Sequence, residues 1–226
     1  NWSYFIISYG YIFRRNEKKE EEQLDFAKIG TPNEIKLKKI SHYYGLISTV
    51  VRDLENVLIF LRLKNRNQIL KLFPGLTEEK EYYKYHFENY IIRVNTITDL
   101  IGKLGNILFN TGLKDNCNGY NFKEKIKAIN SKVAELVENL LKITFDIKQK
   151  RHKKIHKGET DISNLSGVVF WNDVLRIANK KATELLEEQT DKQLANKIDE
   201  LEIEIVNIIK AVNGILDSSV NELINL

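Results

Sequence analysis

From Leu37 to Leu61 the apolar residues recur at steps of three and four, as Leu37, Ile40, Tyr44, Ile47, Val51, Leu54, Leu58 and Leu61. A row with that spacing lies along one face of an α-helix and needs a partner to cover it. Thr31-Pro32-Asn33-Glu34 stands just ahead of it. Threonine can cap, proline suits the first helical position, and a glutamate three residues on can reach back to the cap N–H. One long helix therefore begins near residue 32.

The same spacing returns behind Thr77, with Tyr83, Phe87, Ile91, Val94, Ile97, Ile101, Leu104 and Leu108 as the inner face of a second long helix. Asn110 to Asn121 is a loop by composition, and Asn121 to Glu124 reads as a capping box for a third helix. Its inside positions are Ile126, Ile129, Val133, Leu136, Leu140 and Ile143, and it either runs on or breaks briefly into the basic segment, stopping at Gly158. Val168 to Leu186 predicts a fourth helix. Thr190 to Gln193 would start a last one through Ile198, Leu201, Ile205, Ile208, Val212, Ile215 and Leu216. No period-2 run of useful length occurs, nor a solenoid repeat. With 11 Gly and 2 Pro in 226 residues there is little material for the turns of an all-β fold. The expectation is an all-α antiparallel helical bundle of five or more helices, with 1–226 as a single domain.

Other segments are read more coarsely. Asn1 to Phe13 is apolar and aromatic but short of the ~20 residues a spanning helix requires. It also lacks the basic start and cleavage site of a signal peptide, so it is read as a helix or strand packed on the core. Residues 14–30 read as a charged helix end or linker, and Phe73-Pro74-Gly75 as the stop of a short piece. No membrane partner is expected and the assignment is cytoplasmic. The single cysteine excludes an internal disulfide framework and a cysteine zinc cage. Methionine is absent, so each spacing argument takes the sequence as continuous within the motif concerned.

Charge is uneven. The net +4 is too small to imply nucleic-acid binding by itself. Residues 147–157, however, read IKQKRHKKIHK, with Lys148, Lys150, Arg151, Lys153, Lys154 and Lys157 and no acid. Acids dominate from Glu184 to Glu204. A charge run is ordinarily a solvated helix face. The two histidines inside the basic run set it apart.

There is no Walker loop, dinucleotide turn, HExxH or GxSxG, and no cofactor is expected. Cys117 sits in the polar loop and reads as an inert thiol; His42 and His86 read as helix residues among tyrosines. His152 and His156 share a helical face at i, i+4, one geometry for a metal pair, but six cations around them would repel a divalent ion. An anion suits the site better. Imidazoles exchange protons near neutral pH and Arg151 can hold a phosphate bidentately.

Arg151-His152-Lys153-Lys154-Ile155-His156 reads as Arg, a polar residue, three further residues and His. This resembles the Arg-x4–6-His motif of the HEPN superfamily, all-α domains that include many prokaryotic ribonucleases. His152 meets the favoured polar second position. The motif follows two long helices, as in the family, and Tyr90 to Asp99 is similar to the first long helix of a HEPN branch of bacterial proteins. The resemblance covers about 77–190, which sets a HEPN-like core at about 77–226 and extra N-terminal helices at 1–70. Gly158 stands where some HEPN toxins carry Tyr, so those lineages are poorer guides.

The resemblance implies metal-independent RNA cleavage by the 2′-hydroxyl, leaving a 2′,3′-cyclic phosphate and a 5′-hydroxyl. His156 would be the acid or base, Arg151 the phosphate clamp, and His152 an orienting or proton-sharing group. Residues five apart lie about 140° apart on an ideal helix, so Arg151 and His156 converge only at a bend or across two copies. Family members are dimers with both motifs facing one cleft, which implies a homodimer here. Lys148, Lys150, Lys153, Lys154 and Lys157 would hold the RNA backbone. An antitoxin is a further candidate partner, in a toxin pair or phage defence. The competing hypothesis is a non-catalytic helical RNA- or protein-binding module, a degenerate HEPN domain.

Overall fold

The computed structural model describes residues 31–63, 79–149 and 180–224. Six helices occupy them: α1 (Pro32–Leu61), α2 (Glu79–Leu108), α3 (Gly119–Ile126), α4 (Ser131–Ile143), α5 (Lys180–Ser218) and α6 (Val220–Ile224). No strand occurs among the described residues. The fold class is all-α with more than five helices, as the apolar periodicity requires. The expectations for Asn1 to Phe13, for 14–30, for Phe73-Pro74-Gly75 and for 150–179 lie outside the described residues.

α1 starts where its capping box places it. The Thr31 N–H donates to Glu34 Oε2 at 3.0 Å, and the Glu34 N–H to Thr31 Oγ1 at 3.4 Å. Its buried row is Leu37, Ile40, Tyr44, Ile47, Val50, Leu54, Val57 and Leu61. Val50 and Val57 replace the expected Val51 and Leu58, which stay half-buried. Leu54 and Leu61 stay enclosed as expected, so the row keeps its direction and only the order of its three- and four-residue steps differs, as it can where a helix face is broad.

The expected third helix is two. Asn118, rather than Asn121, is the cap of α3: its side chain accepts from the Asn121 N–H at 3.0 Å. The Asn130 side chain then accepts from the Val133 N–H at 3.1 Å and opens α4. The break shifts part of the inner face: Val133 and Leu140 are buried as expected, but Ile129 is 59% exposed, Leu136 and Ile143 are half-buried, and Ala134, Val137 and Leu141 are enclosed in their place. Conversely, α5 runs unbroken through Thr190 to Gln193, where a new helix was expected. A cap-like sequence cannot end the helix before it without a breaker, and none lies between Lys180 and Ser218 except Gly214.

The chain forms two compact units. The first comprises Asn1–Val51, Thr96–Ile143 and Ile208–Leu226. Its core includes Ile40, Ile47, Ile97, Ile101, Leu104, Phe122, Val137, Ile208 and Val212. Close approach is built in with glycine: a Cβ on Gly105 would clash with the Phe122 ring, and one on Gly102 with the Asn118 backbone. After α2, Asn106 organises the loop. It donates to Leu113 O at 2.9 Å and accepts from the Leu113 N–H at 3.0 Å and Thr111 Oγ1 at 2.7 Å. Asn110 (φ 49°) and Gly112 (φ 70°) take the left-handed turns this clamp requires.

The second unit comprises Arg52–Asn95 and Thr144–Asn207. Leu54, Val57 and Leu61 of α1, Tyr82, Tyr83, Phe87, Tyr90 and Val94 of α2, and Ile198, Leu201 and Ile205 of α5 are buried within it. The row Ile198, Leu201, Ile205, Ile208, Val212, Ile215 and Leu216 read from the sequence is buried throughout.

Candidate functional site

Of the residues singled out in the basic run, Arg151, His152 and His156, with Lys150, Lys153, Lys154 and Lys157, lie outside the described residues. Lys148 is described. Beyond α4 the chain takes one more helical turn over 145–149, in which the Lys148 N–H donates to Thr144 O at 3.0 Å. Thr144 and Ile147 are buried while Phe145 and Asp146 face outward, so the turn is anchored by an apolar contact one residue before Lys148. Lys148 is half-buried.

The described part of the second unit carries a polar seam on α2 beside the apolar one. Tyr82, His86, Asn89 and Arg93 recur at steps of four, three and four and so share a face. Arg93 Nη2 lies 3.2 Å from Asp53 Oδ2 of α1, and its Nε donates to Asn89 Oδ1 at 3.2 Å. The guanidinium is held on two edges and its charge is matched by a carboxylate. It stiffens the α1–α2 contact rather than offering an anion site.

Tyr90 and Tyr82 use their hydroxyls across helices. Tyr90 donates to Glu204 Oε2 of α5 at 2.6 Å, and Tyr82 to the Phe60 carbonyl at 2.7 Å. Burial pushes the Tyr82 hydroxyl up to about 12. Tyr90 is raised further, by burial first and then by the Glu204 carboxylate it bonds. Tyr83 donates to the Leu63 carbonyl at 3.2 Å. These tyrosines are fixed structural groups. Tyr85, by contrast, is 61% exposed.

His86 is 3% exposed and neither ring nitrogen has a hydrogen-bond partner among the described residues. It packs among rings, stacked on Phe60 at 4.9 Å. Burial lowers its pKa from the ordinary value. His42 is exposed on α1, its ring edge-on to Tyr43 at 5.3 Å. No histidine among the described residues stands beside a nucleophile in the way acid–base chemistry needs. The seam was missed in the sequence because its partners lie far apart along the chain. Its one local signal was Arg93 inside the apolar stretch Tyr90-Ile91-Ile92-Arg93-Val94.

In the first unit, burial is the main cause that pushes the Cys117 thiol up, which fits an inert side chain. Among the described residues no cluster of His, Cys, Asp and Glu could hold a metal ion. No helix there is long and apolar enough to cross a membrane.

A family model described as HEPN_Cthe2314:-like HEPN matches residues 43–209. The match begins within α1, takes in α2, α3 and α4 and ends within α5. It covers well over half of the chain and includes both the stretch 77–190 on which the resemblance was drawn and the basic run 147–157. No curated protein and no solved structure matches the chain.

Proposed function

The chain belongs to the HEPN family through residues 43–209, and from that membership we propose that it is a metal-independent endoribonuclease. The observation that carries the reading is the coincidence of this family match with Arg151, His152 and His156 in a basic run. In the proposed reaction a base takes the proton of a ribose 2′-hydroxyl, and the oxygen attacks the neighbouring phosphorus. The bond to the 5′-oxygen breaks and an acid protonates the leaving oxygen. His156 serves as acid or base, Arg151 neutralises the crowded phosphorane, and His152 orients the pair or shares the proton.

The site is completed by a second copy. The angular gap of about 140° between Arg151 and His156 on a regular helix is closed if two motifs face one groove across a twofold axis. Lys148, Lys150, Lys153, Lys154 and Lys157 then hold the RNA backbone without reading bases.

The test is incubation of the intact chain with RNA in chelator, beside His156→Ala. Cleavage to cyclic-phosphate ends by the parent and its loss in the variant support the reading. Equal cleavage by both removes His156 from the chemistry and overturns the reading of this motif, and no cleavage by either assigns the chain instead to non-catalytic binding of RNA or protein.

A further inference from the structure

A buried polar group without a partner is rare in native proteins, and His86 has two such atoms in one ring. Three rings wall it in. Phe60 of α1 stacks on it at 4.9 Å and 18°, Tyr82 meets it edge-on at 4.5 Å, and Tyr85 edge-on at 5.1 Å. The one proton of the Tyr82 hydroxyl is given to the Phe60 carbonyl, so it cannot serve the imidazole. We propose that His86 is an acid-sensitive catch: its neutral ring closes the Phe60–Tyr82–Tyr85 box that joins the ends of α1 and α2, and its cation opens the box.

The chemistry of the walls sets the direction. Among the described residues no carboxylate comes within ion-pair reach of His86, and the ionisable groups facing it are the phenols of Tyr82 and Tyr85. Protonation adds a second N–H donor to a site with no acceptor for the first. Cation–π attraction to three rings offsets only part of the lost hydration. Water is close: Phe60 is 38% and Tyr85 61% exposed, so outward rotation of either wall hydrates the ring. A phenylalanine would fill the same box with no response to acid. Consistent with this geometry, burial holds the His86 pKa below its ordinary value.

The sign follows from linkage. A histidine titrating below 6.5 when closed and near 6.5 when open favours the closed state above pH 6.5. Below that value each pH unit raises the opening constant by up to about tenfold, until the closed ring itself titrates.

The experiment is hydrogen exchange on the full chain at pH 7.5 and 5.5 (corrected for intrinsic exchange), conditions chosen about one unit either side of the ordinary histidine value. Amides of 57–63 and 83–90 should open several-fold to about tenfold more at the lower pH, while those of 119–143 should not change. The response should vanish in His86→Phe and persist in His42→Gln and in His156→Ala, which separates it from the proposed ribonuclease chemistry. An equal acid response in His86→Phe, or none in the parent, overturns the proposal. If His86→Phe does not fold, ring titration of the parent by NMR decides. A His86 midpoint below 6.5 supports the catch, and one at or above it overturns it.

Discussion

Tyr90 of α2 donates its hydroxyl proton to Glu204 Oε2 of α5 across 2.6 Å, from a ring only 3% exposed. This charge-assisted bond pins α5 to α2 between two buried apolar residues of α5, Leu201 and Ile205. Tyr90→Phe keeps the ring and removes the bond. It should lower stability by about 1–2 kcal/mol, at the lower end for a bond to a charged group because Glu204 is half-exposed to water. Urea midpoints of Tyr90→Phe, Glu204→Gln and the double variant measure it. Strict additivity of the two single effects would show that the pair is not coupled.

The glycines of α2 separate two kinds of overpacking. Gly102→Ala drives a methyl into the Asn118 backbone, whereas Gly105→Ala drives one into the Phe122 side chain. Gly102→Ala should cost at least ~2 kcal/mol with no rescue by side-chain trimming. Gly105→Ala should be partly rescued by Phe122→Leu, so that the double variant is more stable than the sum of the singles predicts. Thermal melts of the four proteins give the answer.

Alkali should loosen the second unit in stages. The Tyr82 hydroxyl, bonded to the Phe60 carbonyl, is pushed up to about 12 from an ordinary 10. A folded-state value above the unfolded one means that the stabilisation is whole below pH 10 and is lost as pH rises from 10 towards 12. Tyr82→Phe should therefore show a shallower fall in stability over that window. Identical alkaline slopes for the two proteins would remove Tyr82 as the cause.

If Arg151 and His156 act on the scissile phosphate, RNA should be cut in chelator while DNA survives, because only RNA carries the attacking hydroxyl. His156→Ala should slow cleavage ~10²–10⁴-fold, the scale for losing an acid–base group. Arg151→Ala should be comparably severe, with Arg151→Lys a partial rescue, since a point charge lacks the planar fork. Lys153→Ala and Lys154→Ala should mainly weaken RNA binding and flatten its salt dependence.

The proposed composite site requires two copies. Scattering at micromolar concentration should give the mass of a dimer, and crosslinks between introduced cysteines at position 154 should join the two chains. A monomer active at full rate would sink the shared-groove picture.

Much of this was legible along the chain because it depends on neighbours in sequence. The capping box of Thr31 and Glu34, the apolar rows of α1 and α5 and the absence of strands among the described residues all follow from spacings of three and four. The Arg151–His156 motif and its basic setting were read the same way, and the family match over 43–209 includes them. Helix limits were less legible. Asn130 opens α4 by accepting from the Val133 N–H, while the equally cap-like Thr190 interrupts nothing. A capping residue lowers the cost of a start; whether the chain turns there depends on what the next helix can bury.

The local pattern of the sequence therefore determined which segments are helical and which of their faces are apolar, since both are set within one or two turns of backbone. Only the tertiary structure decided that Val50 and Val57 rather than Val51 and Leu58 are enclosed, that Tyr90 meets Glu204, that Arg93 meets Asp53, and that His86 is shut among three rings without a hydrogen bond. Those outcomes join residues up to more than a hundred positions apart, and they depend on how the ridges of one helix settle against another. Spacing within a single helix carries no record of that.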